Sequence, residues 1–552
     1  MRFFVAWLLC VITVSQSLAQ SRKGVVVAAE PQAAEAGLQM LRAGGNCVDA
    51  AVATAFALAV TWPAAGNLGG GGFLVARLGD GRTLALDFRE LAPLAATRGM
   101  FLDADGNPVP GRSTIGVLAA GTPGSVPGLC HALERMGKLK LPVVLAPAIR
   151  LAREGFCVGP HGARSINGSR KLLERCPESR RIFLANATET HENFHLTQPE
   201  LAATLTRLAE HGLEDWQKGR TAELLLACMR EQQGLIQASD LADYRAVERE
   251  PLRGRYRGHD ILAMPPPSSG GIALLQMLGI LEARQLHEVG WTSVQGRHLI
   301  IESMRRAFAD RARFLGDPDQ SSIPVKELLA QERIAAMAAS IQESAVPLED
   351  AALPEPEHDE TTHLSVMDGE GGAASLTTTL NGSFGCGVTV KGAGFLLNNE
   401  MDDFASAPGR ANMYGLIQGE ANSIAPRRRP LSSMTPTILC RDNEAVFVTG
   451  SPGGPTIIST VLLSILARVD GGLSAQDVVK ARRFHHQWRP DALSFESGAF
   501  SAAVRGELEL RGHRFAQKPR SQGDCHVIVR NPKTGVLTGA ADPRGGGAAR
   551  GF

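Results

Sequence analysis

The stretch Glu360-Thr361-Thr362-His363-Leu364-Ser365-Val366-Met367 marks the point where this chain changes character. The residues before it, Val346 to Glu360, are acidic, rich in proline and without an apolar period, which reads as an exposed, mobile segment. After it, Thr362 to Met367 alternate polar and apolar as a strand does, and Ala373 to Leu380 form a second strand-like run. Working back toward the start, Gly24 to Glu30 read as a buried strand. Ala-rich helices follow over 31–43 and 47–61, the first stopped by Gly44-Gly45. Phe73 to Leu78 and Leu84 to Phe88 read as strands around the turn Gly79-Asp80-Gly81. From about 125 to 350 the pattern is mostly helical, with apolar spacing of three and four in Leu201–Leu208, Ala222–Met229 and His298–Phe314. Pro265 to Gly271 is a stiff loop before a further helix. The last 190 or so residues carry more strand signals, including Ala445–Thr449 and Cys525–Val529. Strands at both ends with helices between predict a sheet sandwich covered by helices and built from both parts.

With 552 residues, 44% hydrophobic and 20% charged, the chain has ample material for a core, which excludes a disordered or fibrous protein. Lys+Arg is 57 against 56 for Asp+Glu, so no basic face is available for general nucleic-acid binding. Residues 1–19 read as a secretory signal: Arg2, the apolar run Phe3 to Val14, and the small-residue cleavage site Ser17-Leu18-Ala19. The mature protein is therefore expected to be soluble and secreted, with the periplasm as its destination. Its eight cysteines are widely spaced and lack a CxxC, so neither a disulfide framework nor a zinc site is indicated.

The usual nucleophile signals are missing. There is no G-x-S-x-G, H-E-x-x-H or P-loop; the run Gly69 to Gly72 reads as structural, allowing close backbone packing. His485-His486 are adjacent on a strand-like segment and would point to opposite faces, so metal binding is not expected there. The junction offers other chemistry. A cut after Glu360 gives Thr361 a free α-amino group with a pKa of about 8, within reach of its own hydroxyl, so one residue supplies nucleophile and base. From spacing alone, an ordinary inter-domain linker is the favoured reading.

Several motifs occur in the same order as in one known family. They are Gly44-Gly45-Asn46-Cys47-Val48-Asp49-Ala50-Ala51, Gly66-Asn67-Leu68-Gly69-Gly70-Gly71-Gly72-Phe73, Asp87-Phe88-Arg89-Glu90, Thr361-Thr362-His363-Leu364-Ser365-Val366, Thr377-Thr378-Thr379-Leu380-Asn381, Leu397-Asn398-Asn399-Glu400-Met401-Asp402-Asp403-Phe404, Arg429-Pro430-Leu431-Ser432-Ser433-Met434-Thr435-Pro436-Thr437 and Thr449-Gly450-Ser451-Pro452-Gly453-Gly454. Together they resemble the γ-glutamyltransferase (glutathione hydrolase) family from about residue 24 to Asp542-Pro543-Arg544. The resemblance implies an α+β fold, the four-layer αββα sandwich of N-terminal-nucleophile hydrolases. It also implies a precursor that cleaves itself between Glu360 and Thr361 into a large subunit, 20–360, and a small subunit, 361–552, which stay together as a heterodimer.

The same resemblance assigns roles. Thr361 would attack the γ-glutamyl amide and hold the glutamyl group as an ester, and the Thr379 hydroxyl would bond the nucleophile and assist self-cleavage. Gly453 and Gly454 would donate backbone N–H groups to the oxyanion. Arg89 would hold the donor α-carboxylate through its planar fork, helped by Ser432 and Ser433, while Asp403, Glu400 and Asn381 would hold the α-ammonium. Pro408 to Pro426, with Tyr414, resembles the lid loop of bacterial relatives. The expected donors are glutathione and other γ-glutamyl compounds, the acceptors water, amino acids or peptides, with no cofactor and no metal. Two alternatives stand beside this reading: a β-lactam side-chain (glutaryl) acylase of the same fold, and a non-catalytic solute-binding relative.

Overall fold

The computed structural model describes residues 17–184, 189–346, 359–406 and 409–552, without the side chains of 359 and 360. The first sixteen residues of the expected signal, most of the acidic segment before Thr361 and the first residue of the expected lid, Pro408, therefore lie outside the described residues. Fourteen strands build the frame: β1 (Leu18–Ser21), β2 (Gly24–Ala28), β3 (Gly71–Arg77), β4 (Thr83–Asp87), β5 (Val247–Arg249), β6 (Leu252–Tyr256), β7 (His259–Ala263), β8 (Asp359–Asp368), β9 (Ala373–Gly382), β10 (Thr437–Arg441), β11 (Glu444–Gly450), β12 (His526–Arg530), β13 (Leu537–Ala540) and β14 (Ala548–Gly551). They form two seven-stranded antiparallel sheets, β1-β13-β12-β11-β10-β7-β6 and β14-β2-β8-β9-β3-β4-β5. The sheets pack face to face, with β8 and β9 lying against β11.

Strand alternation explains the layering. On the second sheet Val26, Ala28, Leu74, Ala76, Leu364 and Val366 join one apolar cluster with helices α1 (Pro31–Arg42) and α2 (Cys47–Thr61). The alternate residues Val25, Val27, Phe73 and Val75 turn inward to the other sheet, whose outer face carries α3 (Gly270–Ala283), α4 (Val294–Phe314) and α5 (Thr456–Val469). The result is the αββα sandwich. Helix α2 starts where Asn46 and Asp49 cap it reciprocally, the Asn46 side chain accepting from Val48 and Asp49 N–H and the Asp49 carboxylate accepting from Asn46 N–H. All fifteen of its residues are buried, as befits a helix covered on both sides.

Strands β5 to β7 fall in the region read as mostly helical. Two of them, β5 and β6, are sheet edges, and β6 exposes Arg253 and Arg255, so neither shows the apolar alternation that marks a strand in sequence. At the other margin, Leu18 and Ala19 pair with Ala540 and Gly539, so the expected signal cleavage would fall inside β1. No helix among the described residues is long and apolar enough to cross a membrane.

Candidate active site

Thr361 lies near the start of β8, a central strand, opposite Thr379 of β9. The register shifts by one residue between Asp359 and Thr361, with Leu380 and Asn381 of β9 facing the one residue at 360. The Thr361 hydroxyl donates to the Thr379 hydroxyl at 3.3 Å, and the Thr379 oxygen also accepts from Asn381 N–H at 2.8 Å. Asn67 holds this end of β9: its amide donates to the Thr379 carbonyl at 2.9 Å, and its oxygen accepts from Gly70 N–H at 3.0 Å. Gly70 packs so closely that a Cβ there would lie 2.1 Å from the Thr379 carbonyl oxygen, which is what the glycine run is for.

Arg89 follows β4 and is 1% exposed. Its backbone is fixed by Asp87, which accepts its N–H, and by Tyr244, whose hydroxyl donates to its carbonyl at 2.7 Å. The guanidinium pairs with Asp403, with Glu400 at 2.5 Å, and with the Pro430 carbonyl at 3.1 Å, while Glu90 stands 3.7 Å away. The residues expected to hold opposite ends of a donor therefore hold each other in this structure. Three carboxyls around one guanidinium cannot all ionise comfortably away from water. Burial pushes the carboxyl groups of both Glu90 and Glu400 well up, even with the Arg89 charge opposing it.

A second buried cation reaches the serine pair from behind Ser433. Arg311 of α4 is buried, donates to Ser269 at 3.0 Å and to Ser433 at 3.4 Å, and has no carboxylate partner among the described residues. Its Nη1 has no hydrogen-bond partner there either, and burial pulls its pKa down to about 10. Neither Arg311 nor Glu90 was singled out from sequence. The signal for Arg311 was present, since Met304, Phe308 and Arg311 share one helical face at spacings of four and three, putting an arginine on an apolar stripe.

Gly453 and Gly454 stand at the start of α5 with φ of 127° and 49°, in the region that favours glycine. Their carbonyls accept from the N–H groups of Thr456 and Ile457. Their own N–H groups find no protein acceptor among the described residues, and Gly454 lines the same cavity as Thr361. Arg89, Thr361, Thr379, Asn381, Glu400, Asp403, Ser432, Ser433 and Gly454 all line one tight cavity of about 20 Å³, bordered by Tyr414, Leu416, Met434, Pro455 and Ile457. Gly453 is one residue back, against Thr456 and Gly523. Asn381 adopts φ 76°, and its side chain is already engaged, donating to the Asn399 carbonyl and accepting from the Tyr414 hydroxyl. His485 and His486 do point apart, to Ser459 and to Asp491.

A threonine at the head of a central strand, in a sandwich of this layering, facing backbone donors and a charged pocket, defines an N-terminal-nucleophile hydrolase. Residues 33–552 match the family described as Gamma-glutamyltranspeptidase. The "Glutathione hydrolase proenzyme" of Escherichia coli strain K12 is 43% identical over 531 residues, covering 95% of this chain and 91% of that protein. Among solved structures, a cephalosporin acylase from Bacillus halodurans superposes with TM-score 0.85 at 26% identity, covering 97% of both chains. A gamma-glutamyltranspeptidase from Pseudomonas nitroreducens is 42% identical with TM-score 0.55, covering 58% of this chain and 94% of its own. This chain belongs to the gamma-glutamyltranspeptidase family and is an enzyme of γ-glutamyl transfer and hydrolysis.

Proposed function

We propose that the chain cleaves itself between Glu360 and Thr361, and that Thr361 then passes γ-glutamyl groups from glutathione and related donors to water or to amino-acid and peptide acceptors. The observation that carries this is the single cavity holding the Thr361 hydroxyl together with Arg89, Asp403 and the serine pair. In the precursor the Thr361 hydroxyl, held by Thr379, adds to the Glu360 carbonyl. The peptide becomes an ester, and water releases residues 20–360 from 361–552. The match of the Pseudomonas nitroreducens chain, nearly complete for itself yet covering 58% of this one, supports such a division. Residues 1–19 are the export signal, and the processed heterodimer works in the periplasm.

For the second reaction, the freed α-amino group of Thr361 takes the hydroxyl proton as the oxygen attacks the γ-carbonyl. Gly453 and Gly454 N–H groups take the oxyanion, and the same amine returns its proton to the departing nitrogen. Water or an acceptor amine then cleaves the ester. A donor zwitterion enters by exchanging partners. Its carboxylate takes the Arg89 fork with the Ser432 and Ser433 hydroxyls, and its ammonium takes Asp403, Glu400 and Asn381, which Arg89 partly relinquishes. The likeness to the cephalosporin acylase supports a second reading, hydrolysis of glutaryl groups. The two buried carboxyls that line the pocket, Glu400 and Asp403, argue instead for a donor that brings an ammonium. Turnover of a γ-glutamyl anilide and a glutaryl anilide, each with and without a dipeptide acceptor, separates the readings. Faster glutaryl turnover overturns this one, and no turnover of either leaves only a binding protein.

A further inference from the structure

The loop 409–418 folds back on itself, Gly409 N–H bonding the Gln418 carbonyl and Asn412 N–H the Leu416 carbonyl, and Tyr414 stands at its tip over the cavity. The tip is held from two sides. Toward the pocket, the Tyr414 hydroxyl donates to Asn381, at 2.7 Å to its side-chain oxygen and 2.9 Å to its carbonyl, while Met413 N–H reaches Asp402 at 3.2 Å. Away from the pocket, the Tyr414 carbonyl accepts from the Gln487 amide at 3.2 Å. Gln487 in turn meets His485 at 3.0 Å, and His485 meets Ser459 of α5 at 2.9 Å. All of these side chains are buried.

The proton positions along this chain follow from one fact: a backbone carbonyl only accepts. The nitrogen of Gln487 must therefore face Tyr414, and its oxygen must face His485. His485 then carries its proton on Nε2, and its Nδ1 lies 2.9 Å from the Ser459 hydroxyl, which also reaches the Thr456 carbonyl at 3.0 Å. Burial against the edge of Phe308, with Arg520 and His486 the other ionisable neighbours, lowers the His485 pKa to about 3 and keeps the imidazole neutral. The chain of contacts thus runs from α5, the helix that begins beside Gly453 and Gly454, to the tip of the loop that covers the donor pocket.

We propose that His485 and Gln487 are positioning residues for γ-glutamyl transfer, holding the Tyr414 loop closed over the donor by anchoring it to the helix that follows the oxyanion glycines. This rests on the assignment of the cavity above as the donor site. Gln487→Leu should raise the KM for a γ-glutamyl anilide roughly three- to tenfold while kcat stays within about twofold, the size expected for one lost hydrogen bond. Amide exchange of residues 412–416 should quicken, and self-cleavage should be normal. Gln487→Glu gives a readout that a merely structural role would not move. Its carboxyl donates to the Tyr414 carbonyl when protonated and repels it when ionised, so the ratio of its KM to the wild-type KM should rise with pH. A flat ratio, or an unchanged KM and exchange rate in folded Gln487→Leu, overturns the proposal. So does a loss of kcat with faster exchange throughout the fold. Should the wild-type enzyme ignore the anilide, the donor-site assignment fails, and the exchange measurement still judges the anchoring by itself.

Discussion

Asp403 is the residue whose environment most directly tests the donor class. It is bonded to Arg89 and receives the Asn412 amide at 3.4 Å, while its carbonyl is fixed by Gln418 and Asn422. Asp403→Asn keeps these backbone contacts and removes only the charge. Breaking one side of a desolvated ion pair costs about 2–5 kcal/mol, so γ-glutamyl turnover should fall steeply while glutaryl turnover, which lacks the ammonium, changes little. Equal losses on both substrates with a lowered Tm would mean a structural role. Glu90 yields a pH prediction. Burial raises its pKa in the fold above the unfolded value, so the folded state holds the proton more tightly. That contribution is complete below the ordinary carboxylate range and is lost as pH rises through the folded pKa. Glu90→Gln fixes the neutral form, so its Tm should decline less than the wild-type Tm between about pH 5 and about pH 8. Parallel curves would show that Glu90 does not carry that proton.

At the scale of elements, catalysis depends on how β8 and β9 lie against the glycine run. A Cβ at Gly70 would meet the Thr379 carbonyl at 2.1 Å and Asn67 at 2.7 Å, and backbone cannot yield cheaply. Gly70→Ala should displace the end of β9, separate Thr379 from Thr361 and slow self-cleavage, seen as accumulation of the uncleaved chain on a denaturing gel. Normal processing would show that the strands tolerate the shift. Much at this scale was legible: the alternation of Thr362 to Met367, the Gly44-Gly45 stop and the Ala-rich helices all appear where expected. Strands β5 and β6 were not, because edge strands with exposed arginines gain their order from the neighbouring strand rather than from their own side chains.

Across the whole molecule, the two proposed pieces are interleaved rather than adjacent. In one sheet β8 and β9 sit between β2 and β3, and in the other β10 to β13 separate β1 from β7 and β6. Cleavage after Glu360 falls two residues into β8 and leaves the pairing from Thr361 onward intact. The purified protein should migrate under denaturing conditions as bands of about 36 and about 20 kDa, from a chain of 58.6 kDa, and elute as one particle under native conditions. N-terminal sequencing of the smaller band should read Thr-Thr-His-Leu-Ser. An active enzyme that remains one intact chain would remove the mechanism.

What the sequence by itself determined is local and chemical. The periods of its strands and helices and the Gly44-Gly45 stop are properties of neighbouring residues and need no fold to be read. The site residues were named through motif order, yet their arrangement belongs to the tertiary structure alone. Arg89 meets Glu400 and Asp403, more than three hundred residues away, because β4 and the turn after β9 end at the same side of one sheet. Arg311 and Glu90 join them there, and Gln487 reaches Tyr414 behind the loop. Burial then changes what these groups are: the carboxyls beside one shared guanidinium hold their protons more tightly, and an arginine among helices meets only serine hydroxyls. Desolvation depends on everything packed around a group, and no local pattern of residues encodes it.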